Sequence, residues 1–162
     1  MDKNLIINKI KENFTGQVIS VNPDTEIPTL VIDKDAVYDI ISFLKDEMSY
    51  HFLTSLFGIH YPEQELQLGV IYILHNMEEN DRICLKAFAS LDKPEFKSCV
   101  PIFSGANWME RETYDFYGII FKNHPNLKRI LNVEYLDYFP MRKEYPLEDQ
   151  TRTDKDDKFF GR

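Results

Sequence analysis

A run of fixed charges meets a run of β-branched and aromatic residues at a single glycine, Gly118, and this junction limits what the C-terminal half of the chain can fold into. Upstream of it, Asn107 and Glu110 have the three-residue spacing of a capping box, in which side-chain acceptors satisfy the orphan N–H groups of a helix start. The spacing predicts a helix beginning near Trp108. Gly118 can take the left-handed conformation that ends a helix, and Ile119-Ile120-Phe121 has the residue types of a strand. The helix is therefore expected to stop at Gly118 and turn directly into a sheet.

Within that helix Trp108, Glu112 and Asp115 follow i, i+4, i+7 spacing, and Arg111 and Asp115 form an i, i+4 pair. One face then combines a large aromatic side chain with carboxylates. Such a face is either a solvated, salt-bridged surface or a docking surface, since Trp, Tyr and Arg dominate interface energetics. After the strand, Asn123-His124-Pro125-Asn126 reads as a turn in which the imidazole bonds locally and Pro125 sets the backbone angle. His60, beside Tyr61-Pro62, reads as a turn residue with a satisfied ring.

The preceding chain supplies a layered α+β domain. Leu5, Ile6, Ile10 and Phe14 mark a short amphipathic helix that Gly16 stops. Gln17 to Val21 and Thr29 to Ile32 predict a hairpin around Asn22-Pro23-Asp24. Asp33 is then the expected N-cap of a helix with Val37, Ile40, Ile41 and Leu44 on one side. Three strands are predicted next, Phe52 to Ile59, Leu66 to Leu74 and Ile83 to Ser90, separated by polar turns and running antiparallel. The expected fold class is α+β in a single domain. Helix, two strands, helix and three strands form a mixed sheet with helices packed on it, followed by the helix at Trp108 and an extended C-terminal segment. Residues 1–104 form the α+β core, 105–147 a docking segment of the same domain, and 148–162 a charged tail whose Phe159-Phe160 pair is a candidate anchor.

Charge and composition narrow the function. The net charge of −8 is uneven: residues 1–104 hold 9 Lys and Arg against 16 Asp and Glu, whereas 105–147 hold 6 against 6. With no basic stripe to neutralise phosphates, nucleic acid is not an expected partner. Trp108 to Tyr145 carries 9 of the chain's 22 aromatic residues, so this near-neutral stretch is core or interface. Cys84 and Cys99 read as reduced, buried thiols, too few for an iron–sulfur cluster or a zinc ribbon. No metal-binding histidine spacing, phosphate-binding glycine loop or apolar run of membrane-spanning length is present in the sequence. Met1-Asp2-Lys3-Asn4 lacks the apolar core of a signal peptide.

Residues 110–131 closely resemble the signature of the C subunit of the respiratory NADH:quinone oxidoreductase, complex I, with pattern E-R-E-x-aromatic-D-hydrophobic-aromatic-G-I-x-F-x-x-H-P-x-L-x-R-I-L. Pro140 to Leu147 resembles the family's closing motif, G-H-P-L-R-K-D-Y-P-L, but Tyr138-Phe139 stands where that pattern has Gly-His, Met141 replaces Leu and Glu144 replaces Asp. Without that glycine the local loop is expected to take another shape. The resemblance implies a cofactor-free structural subunit of the hydrophilic arm, positioning the quinone-reducing module. FMN and iron–sulfur clusters would lie in partner subunits. The D subunit of complex I is the main implied partner, with the B subunit and neighbours, and membrane contact at the cytoplasmic face of the bacterial inner membrane would come only through the complex. The resemblance favours partner docking through Trp108, Arg111, Glu112, Tyr114, Asp115, His124, Arg129, Arg142, Lys143 and Tyr145.

Two alternatives stay open at the level of sequence. Membrane-bound hydrogenase and formate-hydrogen-lyase complexes use a similar domain. A small soluble enzyme could use Glu110, Glu112, Asp115 and His124 as acid–base groups, although carboxylates exposed along one helix offer no source for the divided pKa values such chemistry needs.

Overall fold

The computed structural model describes residues 3–145. The expectation for residues 148–162, like the last two residues of the closing motif, lies outside the described residues. The elements run α1 (Lys3–Asn13), β1 (Val18–Asn22), β2 (Thr29–Ile32), α2 (Val37–Met48), β3 (Phe52–His60), β4 (Leu68–Asn76), β5 (Asp81–Ala89), β6 (Glu95–Lys97), α3 (Ala106–Tyr117) and β7 (Ile120–Lys122).

Five strands form the main sheet in the order β1-β2-β5-β4-β3. The predicted hairpin and the β3-β4-β5 meander are antiparallel, and β2 lies parallel to β5, which makes the sheet mixed. Register explains which face is covered. Leu56 opposes Tyr72 and Tyr72 opposes Leu85, while Leu68 opposes Ala89, so these side chains share one face. They join Ile6 and Ile10 of α1 and Val37, Ile40, Ile41 and Leu44 of α2 in one apolar cluster. The alternate residues Phe57, Ile71, Ile73 and Phe88 stand outside it. The continuous apolar cluster on this face fixes the register of the meander, although Ile71 and Cys84 on the other face are buried as well.

The first two helices differ from expectation in detail. α2 has its N-cap at Ala36, without a side-chain cap, because Asp33 instead folds back to accept the Asp35 N–H at 2.8 Å in a turn preceding the helix. In α1 Ile7 is buried and Leu5 is exposed, so the apolar stripe is rotated from the one read in the sequence.

A second, two-stranded parallel sheet, β6 with β7, flanks α3: β7 is the strand expected after Gly118, whereas β6 and its pairing have no counterpart in the sequence reading. Each of its strands has three residues, too short for a periodic signal. α3 itself lies over β3, where Gly58 makes close approach possible: a Cβ there would come within 2.5 Å of the Tyr117 ring.

Candidate docking surface around the signature helix

Helix α3 ends as predicted: Gly118 has φ 72° and its N–H donates to Tyr114 O at 2.8 Å. Its beginning differs. The helix starts at Ala106 after Gly105, Asn107 is already inside the first turn, and there is no side-chain cap. Glu110 points inward, where its carboxylate accepts the Ser98 hydroxyl and the Cys99 N–H, each at 2.6 Å. The apparent capping box therefore organises the loop after β6 rather than the helix to which Glu110 belongs. Asn107 Oδ1 is buried with no hydrogen-bond partner among the described residues.

The Glu110 and His124 side chains have 0% exposure, with His124 Nε2 4.0 Å from Glu110 Oε2. Burial pushes the Glu110 carboxyl up to about 7 despite the bonds from Ser98 and Cys99. Burial also lowers the His124 pKa, Arg111 adds to the shift, and the bond to the Asn107 carbonyl opposes it. His124 Nδ1 accepts the Asn126 N–H at 3.0 Å, so the neutral ring carries its proton on Nε2 and donates to Asn107 O at 3.1 Å. This imidazole fixes the turn locally, as expected, and also ties that turn to α3. His60 is a buried strand-end residue. Its Nδ1 accepts the Lys143 N–H at 3.0 Å, while its Nε2 has no partner among the described residues.

The raised Glu110 value has a sign that can be tested. The folded chain retains a proton that the unfolded chain releases, so the stabilising contribution is complete below about 4.5 and declines as pH rises through about 7. Glu110→Gln preserves the donor and acceptor of the neutral acid and removes this decline. Relative to the variant, wild type is expected to lose up to roughly 3 kcal/mol between about pH 4.5 and about pH 8, read from urea unfolding. The lowered His124 pKa acts in the opposite sense, its contribution being complete above about 6.5 and lost as pH falls, and it cancels in the comparison. Parallel stability curves would contradict the assignment.

Asp115 is the centre of a second network. Its Oδ2 accepts three consecutive backbone N–H groups, from Ile130 at 3.0 Å, Leu131 at 2.8 Å and Asn132 at 2.9 Å. Its Oδ1 accepts Arg129 Nη1 at 2.8 Å and Asn132 Nδ2 at 3.1 Å. Burial pushes this carboxyl upward, but the Asn132 N–H, the Arg129 guanidinium and the other two N–H groups outweigh it and hold the acid well below the ordinary carboxylate range. Arg129 also donates to Asp115 O at 2.9 Å, Leu136 O at 2.7 Å and Tyr138 O at 3.1 Å. The predicted Arg111–Asp115 helical pair is not formed. Arg111 bonds the carbonyls of Lys128 and Arg129 and stacks 5.1 Å from the Trp108 ring, because the more distant Arg129 occupies the carboxylate.

Phe139 closes the arrangement. Its ring lies between the guanidinium groups of Arg129, at 5.0 Å, and Arg142, at 4.7 Å, with Tyr114 edge-on at 6.3 Å. Arg142 Nε donates to Tyr117 O at 2.7 Å. The ten docking candidates thus divide by position. Asp115 and His124 have fully buried side chains, and Arg129 and Arg142 are 8% and 14% exposed and committed internally. Trp108, Glu112, Lys143 and Tyr145 are exposed, and Arg111 and Tyr114 are half-buried. The expected mixed face is split, with Trp108 and Glu112 outward and Asp115 inward. A charge reversal at Arg142 would disturb this packing before it tested a partner.

The sequence offered α3 no source of divided acidity, and the structure supplies one in Glu110 and Asp115. Both carboxylates are nevertheless enclosed by this chain's own donors. A groove of about 460 Å³ lies elsewhere, lined by residues such as Ile19, Val31, Leu66 and Phe88. Burial raises the pKa of both thiols, which are free. Among the described residues there is no cluster of three or more His, Cys, Asp or Glu able to hold a metal, and no helix is long and apolar enough to cross a membrane.

Residues 30–151 match the family described as the respiratory-chain NADH dehydrogenase, 30 Kd subunit. The chain belongs to that family. The C subunit of the NADH-quinone oxidoreductase of Citrifermentans bemidjiense is 33% identical over 151 residues, covering 93% of this chain and 94% of the relative. Among solved structures, a trypsin-resistant fragment of Nqo5 has the same fold with TM-score 0.68 and 21% identity, covering 78% of this chain and 100% of the fragment. A chain of an archaeal membrane-bound sulfane sulfur reductase complex also shares the fold, with TM-score 0.76 and 19% identity, covering 91% of this chain and 87% of that one. The single-domain α+β fold with its mixed sheet is that of the 30 Kd subunit, as the order of helix and strand patterns in the sequence led us to expect. Ser98 does not stand out in the sequence, and Phe139 does so only as a departure from the closing motif, because their partners lie across loops rather than at helical or strand spacing.

Proposed function

We propose that the chain is a non-catalytic structural subunit of the hydrophilic arm of proton-translocating NADH:quinone oxidoreductase. It docks on the D subunit, with the B subunit and neighbours nearby, and fixes the geometry of the quinone-reducing module. FMN and iron–sulfur clusters in partner subunits carry the electrons, and the isolated chain turns over no substrate. The assembly lies at the cytoplasmic face of the inner membrane, reached by this chain through its partners. Residues 105–147 act as the docking segment on the 1–104 core, presenting Trp108, Arg111, Glu112, Tyr114, Lys143 and Tyr145. Asp115, His124, Arg129 and Arg142 hold that surface from beneath.

The observation that carries this reading is the division of labour on α3. Its buried carboxylates are satisfied by internal donors, whereas Trp108 is 60% exposed beside Arg111. An exposed Trp stacked on a held guanidinium has the composition of an interface anchor. Trp108→Ala is expected to weaken assembly by about 2 kcal/mol, roughly thirty-fold, while leaving the melting temperature of the isolated chain nearly unchanged. Comparable loss of fold and assembly would contradict the docking role.

A further inference from the structure

Residues 130–139 contain no buried hydrophobic side chain, yet their backbone is tied at both ends to buried charged side chains. Asp115 holds three N–H groups at one end, and Arg129 holds the Leu136 and Tyr138 carbonyls at the other. Between them the Leu136 N–H closes a turn onto Val133 O at 3.2 Å. What this frame presents is apolar and outward-facing: Leu131 is 65% exposed, Val133 48% and Tyr135 87%. A backbone pinned at both ends cannot fold these side chains into the core.

Resting on the docking reading above, we propose that Leu131, Val133 and Tyr135 form a preorganised anchor that inserts into an apolar pocket rimmed by Lys or Arg on a neighbouring subunit of the complex. The fixed backbone lowers the ordering cost of association, and Tyr is a residue type that concentrates binding energy. Charge sets the rim. Glu134 and Asp137 are the charged residues of 130–139, and the adjacent Arg129 cation is neutralised by Asp115. A basic border on the partner is therefore complementary. The same acids disfavour an anionic lipid surface, and a second copy of this chain, with net charge −8, would bring like charges together.

The test uses tagged full-length chain expressed with its complex, with co-purifying subunits quantified by mass spectrometry. Leu131→Ser combined with Tyr135→Ser is expected to reduce recovered partners about tenfold, without changing the melting temperature of the chain. Glu134→Lys combined with Asp137→Lys is expected to reduce recovery in a similar way. Ile19→Ser, at a side chain also 65% exposed but on the opposite edge strand, is expected to leave recovery intact. Wild-type recovery by the Ser variant while Trp108→Ala loses partners would overturn the anchor and leave the docking reading standing. A wild-type chain that recovers no other protein of the complex would overturn both.

Discussion

Asp115→Asn is expected to cost the fold about 3–5 kcal/mol, the usual consequence of removing one partner of a buried ion pair. The variant keeps the side-chain volume but places an amide where three N–H groups and the Arg129 guanidinium require an anion. Against a total stability of about 5–15 kcal/mol for a domain of this kind, that is a large fraction. Because the Asp115 acidity is strengthened by folding, its contribution is present above the ordinary carboxyl range and is lost as pH falls through the folded value. Wild type and variant should therefore differ by a constant amount near neutrality and converge in acid. Trypsin cleavage after Lys128 or Arg129 should accelerate in the variant as 130–139 is released. A difference below about 1 kcal/mol in urea unfolding at neutral pH would contradict the network.

The second large effect is at Gly118. Alanine there meets two obstacles: a φ of 72°, and a Cβ position 2.5 Å from the Phe139 ring and 2.7 Å from Arg142 Nη2. The left-handed backbone costs roughly 1–2 kcal/mol and the overpacking a similar amount, so Gly118→Ala should lose about 3 kcal/mol. Combining it with Phe139→Ala removes the clash with the ring but not the contact with Arg142 or the backbone cost, so the two losses should be less than additive. Additive losses would mean that Phe139 does not press on Gly118.

Local patterns in the sequence located the strands of the meander, the apolar face of α2 and the end of α3, since each depends on neighbouring residues or on one glycine. The signature led further, to the family. What local spacing could not supply was the destination of the charges. Glu110 has the spacing of a cap and Asp115 that of a helical salt bridge, yet their partners are Ser98 and Cys99 in one case and residues 129–132 in the other. Charges at helical spacing read as a solvent face whenever distant donors are invisible. The parallel contact of β2 with β5 escaped for the same reason, being a pairing across more than fifty residues. Tyr138-Phe139 reads in the sequence as a departure in the closing motif, and its physical content emerged only in the stack of Phe139 between Arg129 and Arg142.

The most direct measurement is native purification through a tag on this chain in mild detergent, with mass spectrometry of the recovered proteins and an assay of quinone-dependent NADH oxidation. The expected result is a large assembly containing flavin and iron–sulfur clusters, active with NADH and quinone, in which the D subunit is recovered with this chain. Recovery with a nickel–iron protein, or a clean monomer with turnover of its own, would contradict the assignment.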